Sequence, residues 1–467
     1  MTTSVGVSPG PEISAPAERG GRWRSRLDEA TTPARLRLLL ALLVLLSLGW
    51  GALAALTADQ HASAAADVVA VSEPLSLDAQ QIFTSLSDAD ATAASAFLAG
   101  GLEPAQARQR YQADITQAAI RIQAASALVG SSAARTQLPG HLARQASATN
   151  TAIGDDLAIL SGQLPVYTGE VGTARADNRL GLPLGAAYLR EASALLRGTL
   201  LPAARDINTR ESALLTSASA QATGLPLLIV TVVAGLGIGY VFFRSSRWLA
   251  RQTHRVVNYG LLVAALAGLV SLVWLAGAFV VGRGDLLHAQ QQGSVPAQAF
   301  ARAEVAALQA HADESLTLID NSGDDAYQRD YLVQQKRLGP GPGTLLAQVQ
   351  AATVNGEGEV GGGRPGSDAV AEARAWYQAH AALRAKDNAG NHADAVTSAL
   401  TGDAATRFAR LSATLSDGID AHQAVFASSA RDGRDAFTGL AAGMIVASLV
   451  MVAGCAWGLS RRLAEYR

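Results

Sequence analysis

Four long apolar runs divide the chain. Each run lacks charged residues and is long enough to cross a bilayer, which takes about 20 apolar residues in a helix. The runs cover residues 38–56, 225–243, 259–282 and 437–459. The stretches between them, 57–224 and 283–436, place apolar residues at alternating spacings of three and four, as an amphipathic helix does. The pattern therefore predicts an all-α membrane protein with four transmembrane helices and two helical domains.

The two amphipathic stretches each predict an antiparallel four-helix bundle, because strand-like alternation is scarce in them. We expect the first helix of each bundle to continue out of one span and the last helix to run into the next. Glycine and asparagine mark the expected distal turns, at 100–101 and 178–183 in the first bundle and at 321–323 and 388–391 in the second. Two further glycine-rich segments have the composition of flexible linkers, at 339–343 and 355–366.

The placement of arginine predicts the topology, since cytoplasmic segments of membrane proteins carry the positive charge. We expect residues 1–37 to be a basic, largely disordered cytoplasmic tail, 244–258 a basic cytoplasmic loop and 460–467 a cytoplasmic tail. Both termini would then be cytoplasmic and both bundles extracytoplasmic. The bundles carry 11 basic against 15 acidic residues and 13 against 19, and this acidic excess agrees with an outside location. The predicted location is a bacterial cell membrane, crossed four times.

The first apolar run has an alternative interpretation as a cleaved signal peptide. Residues 62–64 read Ala-Ser-Ala and offer the small side chains that such a cleavage site needs. The run is, however, longer than the roughly 7–15 residues of a signal-peptide core, and a long basic tail precedes it. These features favour a retained transmembrane helix.

The two halves of the chain repeat one another in outline. Ser95 and Tyr111 are 16 residues apart in the first bundle, and Ser315 and Tyr331 are 16 residues apart in the second. The tripeptide Thr-Gly-Leu opens both the second and the fourth span. Because such matches follow in the same order at nearly constant spacing, we predict an internal duplication of a unit made of a span, a bundle, a second span and a basic exit.

Composition and motifs exclude several classes of chemistry. Cys455 is the only cysteine, so the chain has no intrachain disulfide and no cysteine metal site. The sequence contains no phosphate-binding loop, no His-Glu-x-x-His motif and no Gly-x-Ser-x-Gly motif. The formal net charge of -2 gives no reason to expect a nucleic-acid partner. We therefore expect no enzymatic activity, no metal and no cofactor, and the apolar runs require the lipid bilayer as a partner.

Three groups of residues are candidates for contacts with partners or between helices. The first lies on one face of a short cytoplasmic helix, and is either a docking surface or only the positive-inside signal: Arg244, Arg247, Arg251 and Arg255. The second has the four-residue glycine spacing that lets helices approach closely: Gly235, Gly239, Gly439, Gly443, Gly454 and Gly458. The third is aromatic, and is either core packing or a partner surface: Tyr111, Tyr167, Tyr188, Tyr331, Trp376 and Tyr377.

The layout over residues 35–467 resembles the GlnX family of four-pass actinobacterial membrane proteins, and the bundles look like the four-helix sensor modules of bacterial chemoreceptors. Residues 181–193, Gly-Leu-Pro-Leu-Gly-Ala-Ala-Tyr-Leu-Arg-Glu-Ala-Ser, resemble the family's segment leading into its second span. Trp376-Tyr377-x-x-His380, with Asp-Asn-Ala-Gly at 387–390, resembles the pattern of the second bundle. The resemblance implies two partners, an extracytoplasmic amino-acid-binding lipoprotein and a cytoplasmic serine/threonine protein kinase, kinase G. It transfers no individual functional residue.

The leading hypothesis is a non-enzymatic signal transducer that relays aspartate/glutamate availability from the lipoprotein to the kinase. The main alternative is a direct sensor that binds a small molecule within a bundle, with Arg121, Arg190 or Arg197 pairing with a ligand carboxylate. A buried arginine without an acidic partner would favour that alternative. A third class is a transporter subunit or an envelope scaffold. The histidines of the second bundle show no i, i+4 pairing, so we interpret them as ordinary helix residues: His288, His311, His380, His392 and His422.

Overall fold

The computed structural model of the chain is helical wherever it describes regular structure. It describes residues 32–101, 103–135, 140–222, 224–253, 258–320, 325–354 and 365–464. Every regular element in these ranges is a helix, so the predicted all-α class is confirmed. Most of the predicted N-terminal tail, Arg255, the turn at 321–323, most of the linker at 355–366 and the last three residues lie outside the described ranges.

The first half of the chain contains seven α-helices and two π-helical turns, counted over the described residues. In chain order they are α1 (Thr32–Asp67), π1 (Val68–Ser72), α2 (Glu73–Leu98), α3 (Ala105–Arg135), α4 (Gly140–Arg179), α5 (Leu184–Leu195), π2 (Leu196–Leu200), α6 (Leu201–Ala222) and α7 (Pro226–Thr253).

The second half follows a similar order with more interruptions. Its elements are α8 (Tyr259–His288), π3 (Ala289–Ser294), α9 (Val295–Ile319), α10 (Ala326–Leu338), α11 (Leu345–Val354), α12 (Pro365–Asn388), α13 (His392–Leu400), α14 (Asp403–Asp435) and α15 (Leu440–Ala464).

Four helical runs among the described residues are long and apolar enough to cross a membrane, and this supports a multi-pass membrane protein. The apolar parts of α1, α7, α8 and α15 form one compact unit. Polar side chains join these helices inside the unit. Trp50 donates a hydrogen bond to Ser271 at 3.0 Å, and the hydroxyls of Thr57 and Thr231 lie 2.8 Å apart. Hydrogen bonds of this kind hold apolar helices in one register, because water offers no competing partner in a bilayer.

The first helix of each bundle continues from a span, as the sequence predicts. Helix assignment is unbroken from α1 through π1 to α2, and from α8 through π3 to α9. The expectation that the last helix of each bundle runs into the next span is wrong. Helix α6 ends before α7 begins at Pro226, and a turn at 436–439 separates α14 from α15. Gly439 has φ +75° in that turn, a conformation that glycine adopts without strain and that ends a helix.

Residues 58–225 and 277–438 together form the second compact unit, which holds both bundles. The core of the first bundle is built from leucine, isoleucine and alanine of α2 to α6, and it also includes Val305 and Leu316 of α9. The core of the second bundle surrounds Phe300, Tyr331 and Trp376. The two cores therefore meet along α2 and α9.

Glycines at the distal turns adopt the backbone conformation that these positions require. Gly100, Gly181 and Gly390 all have positive φ, and they lie at three of the four predicted turns. Each turn follows a long helix: α2, α4 and α12. A positive φ at the end of a helix lets the chain reverse direction, and other residues are strained there.

Candidate signalling interface

Helices α2 and α9, which follow the first and third spans, pack against each other between the two bundles. Each is buried on nearly every face, because it packs into its own bundle on one side and against the other bundle on the opposite side. Alanine is the commonest residue of both helices, and its small side chain lets their backbones approach closely. The buried alanines include Ala89, Ala91, Ala93, Ala94 and Ala96 of α2 and Ala299, Ala303, Ala306, Ala307 and Ala310 of α9.

Two of the three π-helical turns in the described residues, π1 and π3, meet at one end of this interface. Val68 of π1 and Ala289 of π3 lie in one buried cluster with Phe426 and Ala430 of α14. A π-helical turn disturbs the regular hydrogen bonding of a helix and leaves a carbonyl to be satisfied from elsewhere. His422 Nδ1 donates a hydrogen bond to the Gln292 carbonyl in π3 at 2.7 Å. The irregular turns are thus packed and bonded parts of the interface.

A buried guanidinium connects the two bundles. Arg197 in π2 donates from Nε to Asp90 Oδ2 of α2 at 3.4 Å and from Nη1 to Asp313 Oδ1 of α9. Ser193 Oγ donates to the same Asp90 oxygen at 3.0 Å. The pairing joins three elements from both halves of the chain, and Asp313 is only 1% exposed.

Burial and pairing act in opposite directions on this network. Burial alone would lower the pKa of the Arg197 guanidinium, but Asp90 and Asp313 raise it above its ordinary value. Burial raises the pKa of Asp313 to about 6, and Arg197 limits the rise. Arg197 therefore stays charged at neutral pH and holds a carboxylate on each side of the interface.

A second pair crosses the interface nearer the distal end. Arg190 of α5 donates to Asp320, the residue that follows α9, at 3.3 Å. The Arg190 side chain is 40% exposed. Water screens such a pair, so its contribution to stability is smaller than that of the Arg197 network.

The second bundle encloses a buried carboxylate of its own. Glu314 of α9 is fully buried and lies 2.6 Å from His380 Nδ1 and 3.4 Å from His311 Nδ1. Burial alone would raise the pKa of Glu314, but its interactions with His311 and His380 hold it at about 2. The His380 ring stacks on Tyr331 with the ring centroids 3.6 Å apart, and the His311 ring stacks on Phe408 at 3.9 Å. Glu314 is thus ionised and fixed within one bundle.

The candidate aromatic residues lie mainly in the cores. Tyr111, Tyr167, Tyr331 and Trp376 are buried, and Tyr188 and Tyr377 are partly buried against the same clusters. In the first bundle the Arg175 guanidinium lies 4.1 Å from the centre of the Tyr111 ring. These positions fit the core-packing interpretation of the set.

Each of the three arginines considered for direct ligand binding has an acidic partner. Arg121 donates to Asp78 at 2.9 Å, and Arg190 and Arg197 have the partners given above. A buried arginine waiting for a ligand carboxylate is therefore not found at these three positions.

The candidate docking arginines lie at the end of α7. Arg244, Arg247 and Arg251 are exposed, and Arg255 lies outside the described residues. Their spacing of three and four residues along one helix places the three exposed guanidinium groups on neighbouring turns.

The candidate packing glycines occupy three kinds of surroundings. A Cβ at Gly235 or Gly443 would lie 2.7 or 2.3 Å from the ring of Trp50 or Trp274, respectively. A Cβ at Gly454 would lie 2.7 Å from the Gly260 carbonyl oxygen, and Gly458 has contacts of 2.6 to 3.1 Å with residues 258–261. Gly239 has no atom within 4 Å of such a Cβ, and Gly439 serves the turn before α15.

Sequence reasoning missed the buried charges because it looked for pairs only within one helix turn. Glu314 lies seven residues after Ala307 and 14 after Phe300, and all three are buried. This heptad spacing places a carboxylate at a core position, and that signal was available in the sequence. The partner His380 comes from another helix, which no local pattern reveals.

Comparison with known proteins adds one finding. Residues 64–220 match the family described as an actinobacterial sensor domain. No curated protein and no solved structure matches the chain. The match covers the first bundle from the end of α1 to α6, and it supports an actinobacterial sensor protein with a role in sensing or signalling.

Proposed function

We propose that the chain is a non-enzymatic transmembrane signal transducer of the bacterial cell membrane. It relays extracytoplasmic aspartate/glutamate availability from an amino-acid-binding lipoprotein to a cytoplasmic serine/threonine protein kinase. The sensor-domain match supports the sensing part of this proposal. The identities of both partners come from the resemblance to the GlnX family.

One observation gives the relay proposal its main support. Helices α2 and α9 bind each other through the Arg197 network, and each continues from a candidate span helix with no break in the helix assignment. A partner that changes the contact between the two bundles therefore acts on the helices that enter the membrane. The helices that lead to the second and fourth spans are interrupted by turns, so they are less suited to carry a displacement.

The relay needs only a small movement. Shifts of about 1–2 Å between packed helices are a common form of switching at interfaces. A lipoprotein that binds one arrangement of the bundles better than another shifts the population towards that arrangement. Alanines make up much of the contact between α2 and α9, so fewer large side chains oppose a small shift there.

An apolar surface at the distal end of the first bundle is our proposed lipoprotein contact. Leu180, Leu182 and Leu184 are 74%, 46% and 56% exposed around the turn between α4 and α5. Exposed leucines that lie together are typical of protein contact surfaces. Under the proposed topology this turn is extracytoplasmic, on the side from which a lipoprotein would approach.

The exposed arginines of α7 are the proposed kinase contact. Arg244, Arg247 and Arg251 would face the cytoplasm, with both chain termini on the same side. Three neighbouring guanidinium groups suit an acidic protein surface, because they form charge-assisted hydrogen bonds with carboxylates.

We also propose that the two halves arose by duplication. Both have a π-helical turn soon after the span, π1 in the first half and π3 in the second. Both have an interruption before the following span helix, at 224–225 in the first half and at 436–439 in the second. The second bundle differs by breaks near 339–343 and at Gly402, so the repeats have diverged in their second and fourth helices.

Affinity purification of the tagged full chain in mild detergent tests the proposal. Mass spectrometry should find the lipoprotein and the kinase bound to the wild-type chain. The triple variant Arg244→Glu/Arg247→Glu/Arg251→Glu should lose the kinase and keep the lipoprotein. The variant Leu180→Ser/Leu182→Ser/Leu184→Ser should show the reverse.

The matched control replaces the same three arginines by lysine. It keeps the positive charge, so it should retain most of the kinase. Absence of both partners from the wild-type chain, under conditions that preserve a known membrane complex, would remove the main support for the relay. Recovery of an ATPase instead would favour the transporter subunit, and attachment to the cell wall would favour the scaffold.

A further inference from the structure

A cleft of about 950 Å³ lies between the two bundles, with α2 and α3 on one side and α9, α13 and α14 on the other. Its walls mix alanines with hydroxyl groups such as Ser85, Thr92 and Ser412. Its size is that of a small-molecule site, which is typically 300–1,000 Å³. The Arg197 network is not part of its lining.

One carboxylate in the cleft has no partner. Glu304 of α9 lines the cleft, is only 6% exposed and forms no hydrogen bond or ion pair with any residue that the structure describes. A buried carboxylate without a partner is unfavourable, since ionisation in such a place has a large desolvation penalty. The position of Glu304 therefore indicates a ligand that binds in the cleft and pairs with its carboxylate.

The neighbouring charges leave the cleft acidic. Arg110 binds Asp88 with two hydrogen bonds of 3.0 Å, so these two groups neutralise each other. Asp114 of α3 and Asp420 of α14 also line the cleft and have no ion pair in the described part of the chain. With Glu304, they place carboxyl groups without a basic partner on three different walls.

We propose that this cleft binds a small organic cation that carries two or more ammonium groups on an aliphatic chain. The carboxylates of Glu304, Asp114 and Asp420 would receive the ammonium groups, and the alanines would contact the methylene groups between them. A metal ion fits less well, because no three His, Cys, Asp or Glu side chains among the described residues are arranged to hold one. The site goes beyond the proposed relay, since it needs neither the lipoprotein nor the kinase.

The protonation of Glu304 supports this assignment. Burial, and to a smaller extent Asp88 and Asp420, raise the pKa of Glu304 to about 8, against the effect of Arg110. Burial and Asp88 likewise raise the pKa of Asp114 to about 7, against the effect of Arg110. An ammonium group favours the ionised carboxylate, so a cation that binds at neutral pH displaces a proton from Glu304.

The ligand would also connect the bundles. Asp114 belongs to the first bundle, and Glu304 and Asp420 belong to the second. A diammonium molecule that contacts both sides would therefore favour one spacing of α2 and α9, the helices of the signalling interface. Such a ligand is a modulator of the interface, independent of the amino acid that the lipoprotein binds.

Isothermal titration calorimetry on the full chain in detergent tests the proposal, with spermidine and putrescine as probes and 1,4-butanediol as the uncharged control. Glu304→Gln should weaken binding roughly tenfold or more, which corresponds to about 1.4 kcal/mol. Asp420→Asn should weaken it roughly threefold, as expected for an exposed charge pair. The matched control is Asp417→Asn, an exposed aspartate one turn earlier on α14 that does not line the cleft.

Titrations at pH 7 in two buffers of different ionisation enthalpy measure the proton release. We expect the wild-type protein to release at least a fraction of a proton for each ligand that binds, and Glu304→Gln to release less. Affinity should rise between pH 7 and pH 9. Equal binding by wild type, Glu304→Gln and Asp417→Asn, tighter binding of Mg²⁺ than of spermidine, or no heat at millimolar probe would each overturn the proposal. Partner recovery in the purification experiment does not depend on Glu304, so the two tests fail separately.

Discussion

In the first bundle, the buried guanidinium of Arg197 pairs with Asp313 of the second bundle as well as with Asp90 of its own bundle. In the second bundle, the buried carboxylate of Glu314 contacts histidines of its own bundle. Both groups are held by hydrogen bonds, yet they depend on different parts of the structure. The Arg197 network persists only while α2 and α9 keep their relative position. The Glu314 cluster persists whenever the second bundle is folded. Buried charge thus serves as a contact between bundles in one region and as a local support in the other.

Removal of Arg197 should cause the largest loss of stability. Arg197→Met leaves Asp90 and Asp313 buried without a cation, and loss of one partner of a buried pair destabilises a protein by about 3–5 kcal/mol. Thermal unfolding of the full chain in detergent should show a large drop in the midpoint. Neutralising both aspartates together with Arg197 should restore much of the loss, because no unpaired charge then remains.

Removal of the Glu314 charge should have the next largest effect. Glu314→Gln keeps the shape of the side chain but loses the charge that faces His311 and His380, so we expect a destabilisation of about 1–3 kcal/mol at pH 7. The folded pKa of about 2 lies below the ordinary value of 4.5. The contribution of the Glu314 charge is therefore present above about pH 4.5 and is lost as the pH falls towards 2.

Unfolding midpoints measured from pH 7 down to pH 3 check this expectation. The difference between wild type and Glu314→Gln should shrink as the pH falls. A difference that stays constant over the range would show that Glu314 is not held ionised by His311 and His380.

Two glycines of the span helices, one in a tight contact and one without neighbours, test the packing within the spans. Gly454→Ala places a Cβ against the Gly260 carbonyl, and overpacking of this kind destabilises by about 1–3 kcal/mol. Gly239→Ala meets no atom within 4 Å and should stabilise the helix by roughly 0.5–1 kcal/mol. Thermal unfolding in detergent should give midpoint shifts of opposite sign for the two variants, and shifts of the same sign would contradict the packing at Gly454.

The smallest effect is expected at the partly exposed pair of the interface. Arg190→Met removes the contact with Asp320, and a half-exposed ion pair contributes about 0.5–1 kcal/mol. The midpoint should fall by much less than in Arg197→Met, and the difference should decrease as salt is added. An equal loss in the two variants would mean that burial of Arg197 does not set the strength of its network.

The sequence predicts the features of this fold that depend on short segments. Uncharged runs of about 20 residues identify the four candidate span helices, and apolar spacing of three and four residues identifies the long helices. Gly100, Gly181 and Gly390 mark turns because a positive φ is a local property of glycine. The interruptions before α7 and α15 were not predicted, although local signals mark both of them. Gly439 has positive φ, and Gly224 with Pro226 fits the end of one helix and the start of the next.

The candidate interface depends on contacts that no local pattern contains. Arg197 and Asp313 are 116 residues apart, and the sequence offers many arginines and aspartates that could pair. An alanine-rich helix also fits into a core in several orientations, so its pattern does not tell which helix it meets. Helix α9 buries side chains against its own bundle and against the first bundle, and only the assembled structure distinguishes these two faces.

A double-mutant cycle on Arg197 and Asp313 tests the connection between the bundles most directly. Unfolding free energies of wild type, Arg197→Met, Asp313→Asn and the double variant would be compared under one condition. We predict that the double variant is less destabilised than the sum of the single variants, with a coupling of about 1–3 kcal/mol. Additivity within about 0.5 kcal/mol would show that Arg197 and Asp313 do not act together, and would contradict a charged contact between α2 and α9.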